Sequence, residues 1–572
     1  MDKRFFLEPQ DPMQRRYESL RSYFVEEVLA EEVAKRFSYS AHTVYSLLKE
    51  YKKQASPKFF LELKRGPKDH RKETLKVKEI IIALRKRNYS IYEIEETLLR
   101  QGYEITPKTI HFILKEEGFA KLFRRTNAER LDALQERRQY PEESNVGEFA
   151  RVKRSSTSFG GIFLFIPLII ELGLDKIFKK SHFYGSKQIP TINYMLSYLA
   201  LKLLGKERLC HIDDFSFDYG LGIFAGLNVL PKSTAITQYS YRNRPSFVAE
   251  VLREFIEVMH KKEMIEGEHI GLDFHPIPHY GDESTLEKNW IPTRGKSMKS
   301  ILSFIAQDID TTYLCYTQGD ILRSESKDEV LRFIEFYKDT TGGYPECLVF
   351  DSKLTTYRNL NELNQKKKPI KFITLRIKGK WLEKKISQIR AWQKVRIDNV
   401  KRKYRNLKVY SEEIELNGYD GNLRQLIITG TGREFPMVII TNDMESSLKV
   451  IITIYSYRWR IENNLQENVD FFNLNALSSP VVVKVNFDMG ITLIANTLYK
   501  LLAKNMRRFE KSKPKRLFHN FVECPVEIKI DPRLVNIKFL NGPYNPLLMD
   551  WVRDKQDMPV HWMGNRKLRF KF

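Results

Sequence analysis

Cysteine is scarce in this chain: 572 residues carry only four, Cys210, Cys315, Cys347 and Cys524, and no two stand at a paired spacing. That argues against a disulfide framework and a structural zinc site, and it points to a reducing compartment. Long apolar runs are also missing. The most apolar stretch, 159–170, is interrupted by Gly160, Gly161 and Pro167 and is too short to span a bilayer, so it reads as buried core. The opening Met-Asp-Lys-Arg-Phe-Phe lacks a signal-peptide core, and no basic amphipathic or lipidated segment stands out. The expected location is therefore cytoplasmic. Acids are in deficit: 72 Asp and Glu against 96 Lys and Arg leave a formal net charge of +24. Such an excess favours a polyanionic partner, nucleic acid above all.

What is present describes a globular chain of several domains, with 42% hydrophobic and 12% aromatic residues. Two small helical modules come first. In one, 30–37 and 42–51 are amphipathic around a Ser38-Tyr39-Ser40 break. In the other, Ser90-Ile-Tyr-Glu93 is a capping box opening a helix to Arg100, and Thr106-Pro107 caps a further helix stopped by Gly118. A capped helix, a turn and a basic second helix are the parts of a helix-turn-helix, with Lys108, Thr109, His111 and Lys115 facing DNA. Between the modules, Lys64-Arg65-Gly66-Pro67-Lys68 is extended and slim enough for Arg65 and Lys68 to follow a minor groove. A three-helix packing module with solvated lysines would show similar patterns. Residues 122–154 read as a charged helix and linker, and 159–265 as a helical support region.

Two acids then end strand-like runs. In Glu268-His-Ile-Gly-Leu-Asp273-Phe274, the alternating Ile270, Leu272 and Phe274 give a half-buried strand with Asp273 on its other face, broken afterwards by His275, Pro276, Pro278 and His279. After a hairpin over 300–317, Cys347-Leu-Val-Phe-Asp351 is a central strand closed by a carboxylate. Asp308 and Asp310 look similar but sit between the hairpin strands, where acids usually make turns. A third acid lies on 454–477, which reads as one helix: Ile454, Ile461, Leu465 and Phe472 form its apolar stripe, and Tyr455, Arg458 and Glu462 share the neighbouring sector. By itself an Arg–Glu pair at i,i+4 is ordinary surface decoration.

The spelling of that helix adds more. Tyr455-x2-Arg458-x3-Glu462, with Trp459 and Ile461 inside it, resembles the Tyr-Arg-Glu-Lys signature of DDE transposases of bacterial insertion sequences, the IS-four-like group. The resemblance implies that Asp273, Asp351 and Glu462 converge as catalytic and metal-binding carboxylates. It implies an α/β multidomain chain: a ribonuclease-H-like catalytic core with a β-rich insertion, preceded by tandem helix-turn-helix modules. The expected division is 1–63 and 64–128 for the two modules, 129–158 linker, 159–265 support, 266–365 first core part, 366–450 insertion, 451–511 second core part and 512–572 C-terminal region. The insertion, strand-like at 371–376, 407–416, 423–429 and 436–441, carries Lys378, Lys380, Lys384, Lys385, Lys401, Arg402, Lys403 and Arg405 and is assigned to DNA contacts.

Phosphodiester cleavage needs an activated water and a stabilised leaving oxygen, and two Mg2+ ions held by carboxylates supply both, with Mn2+ able to substitute. The expected activity is cleavage of transposon ends and strand transfer into target double-stranded DNA by a homodimer in a synaptic complex, at the nucleoid. Tyr455 and Arg458 would contact phosphate and Trp459 an unpaired base. The family's lysine position is Val469 here, with Lys484 as a stand-in. The alternative is a transposase-derived DNA-binding protein without catalysis. A third reading is a metal-dependent hydrolase built on His269, His275 and His279.

Overall fold

The computed structural model describes the chain apart from residues 1–5, 7, 54–71, 87–88, 101–102, 120–148, 150–151, 187, 243, 281–285, 377–378, 398–404, 433–434 and 477–481. The chain divides into two compact units, Met1–Ile80 and Ile81–Phe572. The first is helical. Helices α1 (Pro12–Phe24), α2 (Ala30–Arg36) and α3 (Ala41–Lys53) close over Leu20, Val33, Phe37, Val44 and Leu48. Asp11 caps α1 by accepting the Met13 and Gln14 N–H groups. Ser38, at φ 55°, and Ser40, which accepts the Thr43 N–H, make the break between α2 and α3 a tight turn.

The second unit is mixed α/β. Its first complete helices are α4 (Ile91–Arg100) and α5 (Pro107–Glu116). Thr106 accepts the Thr109 N–H at 3.4 Å, and Pro107 takes the first helical position, where a backbone donor is not needed. Ile110 and Leu114 are buried, which turns Lys108, Thr109 and Lys115 outward. The stretch over 159–265 is helical, with Phe163, Phe165 and Ile166 wholly buried, as expected for an apolar run too short for a membrane. No described helix is long and apolar enough to cross one. Its longest helix is α6 (Pro245–Lys261).

The strands form two sheets. Arg154–Thr157, expected to be linker, is instead strand β1. Strands β2 (His269–Pro278), β3 (Lys288–Ile291), β4 (Lys296–Asp308), β5 (Leu314–Ile321), β6 (Cys347–Phe350) and β7 (Lys371–Leu375) come next. They are followed by β8 (Gln393–Arg396), β9 (Asn406–Ile414), β10 (Leu423–Thr429) and β11 (Met437–Thr441), then β12 (Val526–Ile530), β13 (Leu534–Phe539), β14 (Met558–Val560) and β15 (Arg566–Lys571). The smaller sheet runs β1-β12-β13-β15-β14, so the C-terminal residues close on a strand from before the helical region. The larger sheet has ten strands in the order β3-β4-β2-β6-β7-β11-β10-β9-β8, with β5 on β4. Strands β2, β6 and β7 are mutually parallel, β4 runs antiparallel beside β2, and β5 antiparallel to β4. The strands expected in 366–450 are all present, and they prolong the central sheet beyond β7.

Strand β6 explains why its four residues are all apolar. Leu348 and Phe350 enter the main core, while Cys347 and Val349 enter a second cluster with Ile373, Ile451, Ile452 and Tyr455. Side chains alternate along a strand, so a sheet covered on both faces reads as an unbroken apolar run. The second cluster defines the face on which the candidate site lies.

Candidate active site

Strand register brings two of the acids together. β2 and β6 pair His269 with Cys347, Ile270 with Leu348 and Gly271 with Val349. The same offset carried two residues further, just past the end of this ladder, relates Asp273 to Asp351. Alternation puts both on one face: Ile270 and Leu272 enter the main core, Cys347 and Val349 the second cluster, and Asp273 and Asp351 point with the latter. Asp351 follows the last residue of β6 and accepts the Ser352 N–H at 2.6 Å. Asp273 is mid-strand rather than terminal, because β2 continues through His275, Pro276 and Pro278 against β4. The prolines are tolerated for a geometric reason. His279 donates its N–H to Lys299 O on β4, so the alternating nitrogens of Pro276 and Pro278 face the side that β6, paired only as far as Gly271, has left.

The third acid arrives from a helix that differs from the expected one. Residues 454–477 do not form a single rod. Helix α7 (Leu448–Ser456) ends at Tyr457, and α8 (Trp459–Asp470) begins after Arg458. Ile451, Ile452 and Tyr455 of α7 pack on the second cluster, whereas Ile461 and Leu465 of α8 and the following Phe472 pack in the main core. One apolar stripe thus serves two cores, and the break between the helices allows it. Arg458 sits at the break. Its guanidinium lies 3.7 Å from Asp273 Oδ2 and 2.5 Å from Glu462 Oε1. Glu462 is in the first turn of α8, where the helix dipole favours a carboxylate.

Asp273 feels its neighbours. Burial pushes the Asp273 carboxyl up to about 6; Arg458 draws it back, Glu462 raises it, the Phe274 N–H lowers it and Asp351 raises it. Burial disfavours the Arg458 charge, but Tyr455, Glu462, Asp273 and Asp351 together outweigh it and hold the guanidinium charged. Among the described residues, the three donors found within 4.8 Å of one another belong to Glu268, His269 and Asp310, at the other end of β2. Asp273, Asp351 and Glu462 are more widely spread, with Arg458 between Asp273 and Glu462.

A buried amide ladder fixes the rotation of α8. Asn464 Nδ2 donates to Gln307 Oε1 at 3.0 Å and to Thr312 O at 3.2 Å. On the long helix α9 (Val482–Asn505), Asn496 Nδ2 donates to Asn464 Oδ1 and Asn468 Oδ1, each at 3.0 Å. Arg460 adds a bond to Ile309 O at 2.7 Å. Sequence reasoning missed this ladder, whose only signal was asparagine recurring on otherwise apolar helix faces. It also missed Lys327, whose ammonium bonds Lys353 O within electrostatic reach of Asp351.

The remaining residues singled out from sequence are dispersed. Trp459 is 40% exposed beside Arg458, whereas Tyr455 is 7% exposed and packed in the second cluster. Val469 packs against the main core. Lys484 is 6% exposed and lines a cavity with Lys202 and Asp488, so it is not a surface stand-in for a lysine at 469. Arg65 and Lys68 lie outside the described residues, as do Lys378 and 401–403. Lys384 and Arg405 are exposed, and Lys385 pairs with Glu412 at 2.6 Å. The three histidines do not share a site. His269 bonds Asp310 at 2.8 Å and His275 bonds Asn475 at 2.7 Å. His279 is about 33 Å from His269 along an extended strand. Asp308 makes a turn, accepting N–H groups from Glu266, Gly267, Asp310 and Thr311 while wholly buried.

No protein family and no curated protein matches this chain. Among solved structures, it is similar to a piggyBac transposase, in a cryo-EM structure of the synaptic complex with hairpin DNA, at 12% identity and a TM-score of 0.33. That match covers 64% of this chain and 81% of the other.

Proposed function

We propose that the chain is a DDE transposase that binds transposon ends and performs metal-dependent DNA cleavage and strand transfer. What supports this reading most is that Arg458 reaches both Asp273, on a strand, and Glu462, on a separate helix, with Asp351 of the neighbouring parallel strand in electrostatic reach of Asp273. The strand pattern supports a ribonuclease-H-like core: an antiparallel β5-β4-β2 trio continued by parallel β6 and β7. The paired helices α2–α3 and α4–α5 support DNA-reading modules, with Lys108, Thr109 and Lys115 exposed on α5.

The donor set fits hard divalent cations. It is all carboxylate, and Glu462 and Asp351 both raise the proton affinity of Asp273, so a cation would relieve the repulsion that Asp273 meets. Asp273, Asp351 and Glu462 would be the residues that hold the ions. Bound Mg2+ supplies an activated water and charge stabilisation at the leaving oxygen. The protein's own groups do the rest. Arg458 turns from the acids to a backbone phosphate as DNA enters. Lys327 offers a second cation beside Asp351, and exposed Trp459 stacks on a base at the break. The amide ladder keeps Glu462 facing Asp273. In strand transfer the freed 3′-hydroxyl attacks a target phosphodiester and displaces the target strand's own 3′-oxygen, so one phosphodiester replaces another; the partners are transposon-end and target duplex DNA, held by two copies of the chain.

The test is cleavage of DNA carrying the element's own ends with Mg2+, comparing wild type with Asp351→Asn. Cleavage by wild type alone is expected. Equal cleavage by both would remove Asp351 from the site. Specific end binding with no cleavage by either would leave a DNA-binding protein without catalysis.

A further inference from the structure

The ribbon made by β3 and the start of β4 stands outside the candidate site, and its two faces differ. Pairing Lys288 with Lys299 and Trp290 with Ser297 puts these four on one face. On the other, Ile291 is 2% exposed and Asn289, 7% exposed, donates to Ser300 Oγ at 3.1 Å. The inward face is thus pinned to the fold. Outward, Trp290 is 58% exposed, and Lys288 and Ser297 are exposed with it; at the tip Arg294 is exposed, and so is Lys296, which pairs with Ile291 at the end of the ribbon's other face. The tip turns at Pro292–Arg294 through Gly295, whose φ of 59° suits glycine, and the Arg294 guanidinium lies 5.7 Å from the ring centre of exposed Tyr280. Over 286–300 the sequence has Lys288, Arg294, Lys296 and Lys299 against Glu287 alone, and Glu287 accepts the Arg323 N–H at 2.9 Å.

The exposed Trp290 ring stands among cations, and polyanionic duplex DNA matches the charge of this face. A two-stranded ribbon also has the width of the B-DNA major groove. We infer that the β3–β4 ribbon is a second duplex-DNA contact, with Lys288, Arg294 and Lys296 on phosphates and Trp290 against the groove wall. This rests on the DNA-processing reading above. Its reach follows from register. Asp273 pairs with Ile305 and Trp290 with Ser297 on the same strand, so the ring lies about 26 Å from Asp273, near eight base pairs along a duplex. The ribbon would hold DNA flanking the break rather than the break itself.

The test measures binding of the full chain to a duplex of arbitrary sequence and to a single strand of the same length, from about 50 to about 200 mM KCl. Wild type is compared with Trp290→Ala and with the triple variant Lys288→Ala, Arg294→Ala, Lys296→Ala. All four positions are exposed, so unchanged melting temperatures check folding. The triple variant should lower the salt slope for duplex by about 2–3, so its deficit against wild type shrinks by roughly 40-fold over that salt range. Trp290→Ala should weaken duplex binding several-fold at unchanged slope. Wild-type binding and cleavage with both variants unaltered would overturn the ribbon assignment and leave the proposed function standing. A Trp290 effect on the single strand alone, or a change in oligomeric mass at constant DNA affinity, would also overturn it. Failure of wild type to bind duplex would overturn both readings.

Discussion

Replacing Asp273 with Asn should stabilise the metal-free protein, and by an amount that depends on pH. The carboxyl is lifted from 3.8 to about 6, chiefly by burial. That difference corresponds to about 3 kcal/mol, and partial exposure of the side chain, 21%, reduces the expected value to about 2–3 kcal/mol. The sign follows from which state holds the proton. Below 3.8 the group is neutral whether the chain is folded or not, and it costs nothing. Between 3.8 and about 6 the folded form keeps a proton that the unfolded chain has released, so wild-type stability falls as pH rises through this window. Above about 6 the cost is complete. Asn carries no charge at any of these values. Urea denaturation in EDTA should therefore show Asp273→Asn more stable than wild type at pH 8, with at least about 1 kcal/mol of that gap appearing between pH 5 and pH 8. Mg2+ at pH 8 should then stabilise wild type and leave the variant unmoved. A gap that does not change with pH, or a wild type that is the more stable protein at pH 8, would refute the account of Asp273 as a buried charge awaiting a cation.

Asp308→Ala should destabilise the larger unit by about 3–5 kcal/mol, since four backbone N–H groups lose a buried acceptor; Asp310→Asn should cost far less and leave cleavage intact. Thermal melts and end-cleavage assays on both variants check this, and loss of cleavage in stable Asp310→Asn would move that acid out of the turn and into the chemistry. Asn496→Leu strands the Asn464 and Asn468 carbonyls and should cost about 2–4 kcal/mol by denaturation. It should also slow cleavage at saturating DNA while leaving the DNA dissociation constant alone, because the ladder orients Glu462 and touches no DNA; a weaker dissociation constant at full cleavage rate would contradict that.

Much of the central sheet could be read from the sequence because a two-sided core leaves a plain imprint. Cys347–Phe350 is apolar at every position since alternate residues feed different clusters, and the acid that follows stands out against it. Asp273 was legible from the alternation of Ile270 and Leu272. Two features were hidden for reasons of context. Pro276 and Pro278 normally end strands, and only the departure of β6 after Gly271 permits them inside β2. The pairing of β1 with β12 joins residues hundreds of positions apart and depends on long-range packing that no local pattern encodes. The burial of Lys484 is of the same kind: a lysine beside apolar residues looks like the edge of a helix until α9 is seen to be enclosed.

The break at Tyr457–Arg458 matters more than these, because it changes how the signature residues work. In one straight helix, Tyr455, Arg458 and Glu462 would share a sector and meet the sheet together. In two helices they divide the task. Tyr455 belongs to the helix that packs against β6 and β7, so its ring anchors the end of α7. Arg458 has left α7 and precedes α8, which frees its guanidinium to reach back to Asp273 and forward to Glu462. Glu462 enters with α8, whose rotation Asn464 and Asn496 set from the far side. A strand acid and a helix acid of like charge are therefore held near each other by one planar cation, hydrogen-bonded to Glu462 and 3.7 Å from Asp273. Lysine at 458 would bring the same charge as a compact ammonium on a flexible stem, without the rigid planar spread that lets one guanidinium lie between Asp273 and Glu462.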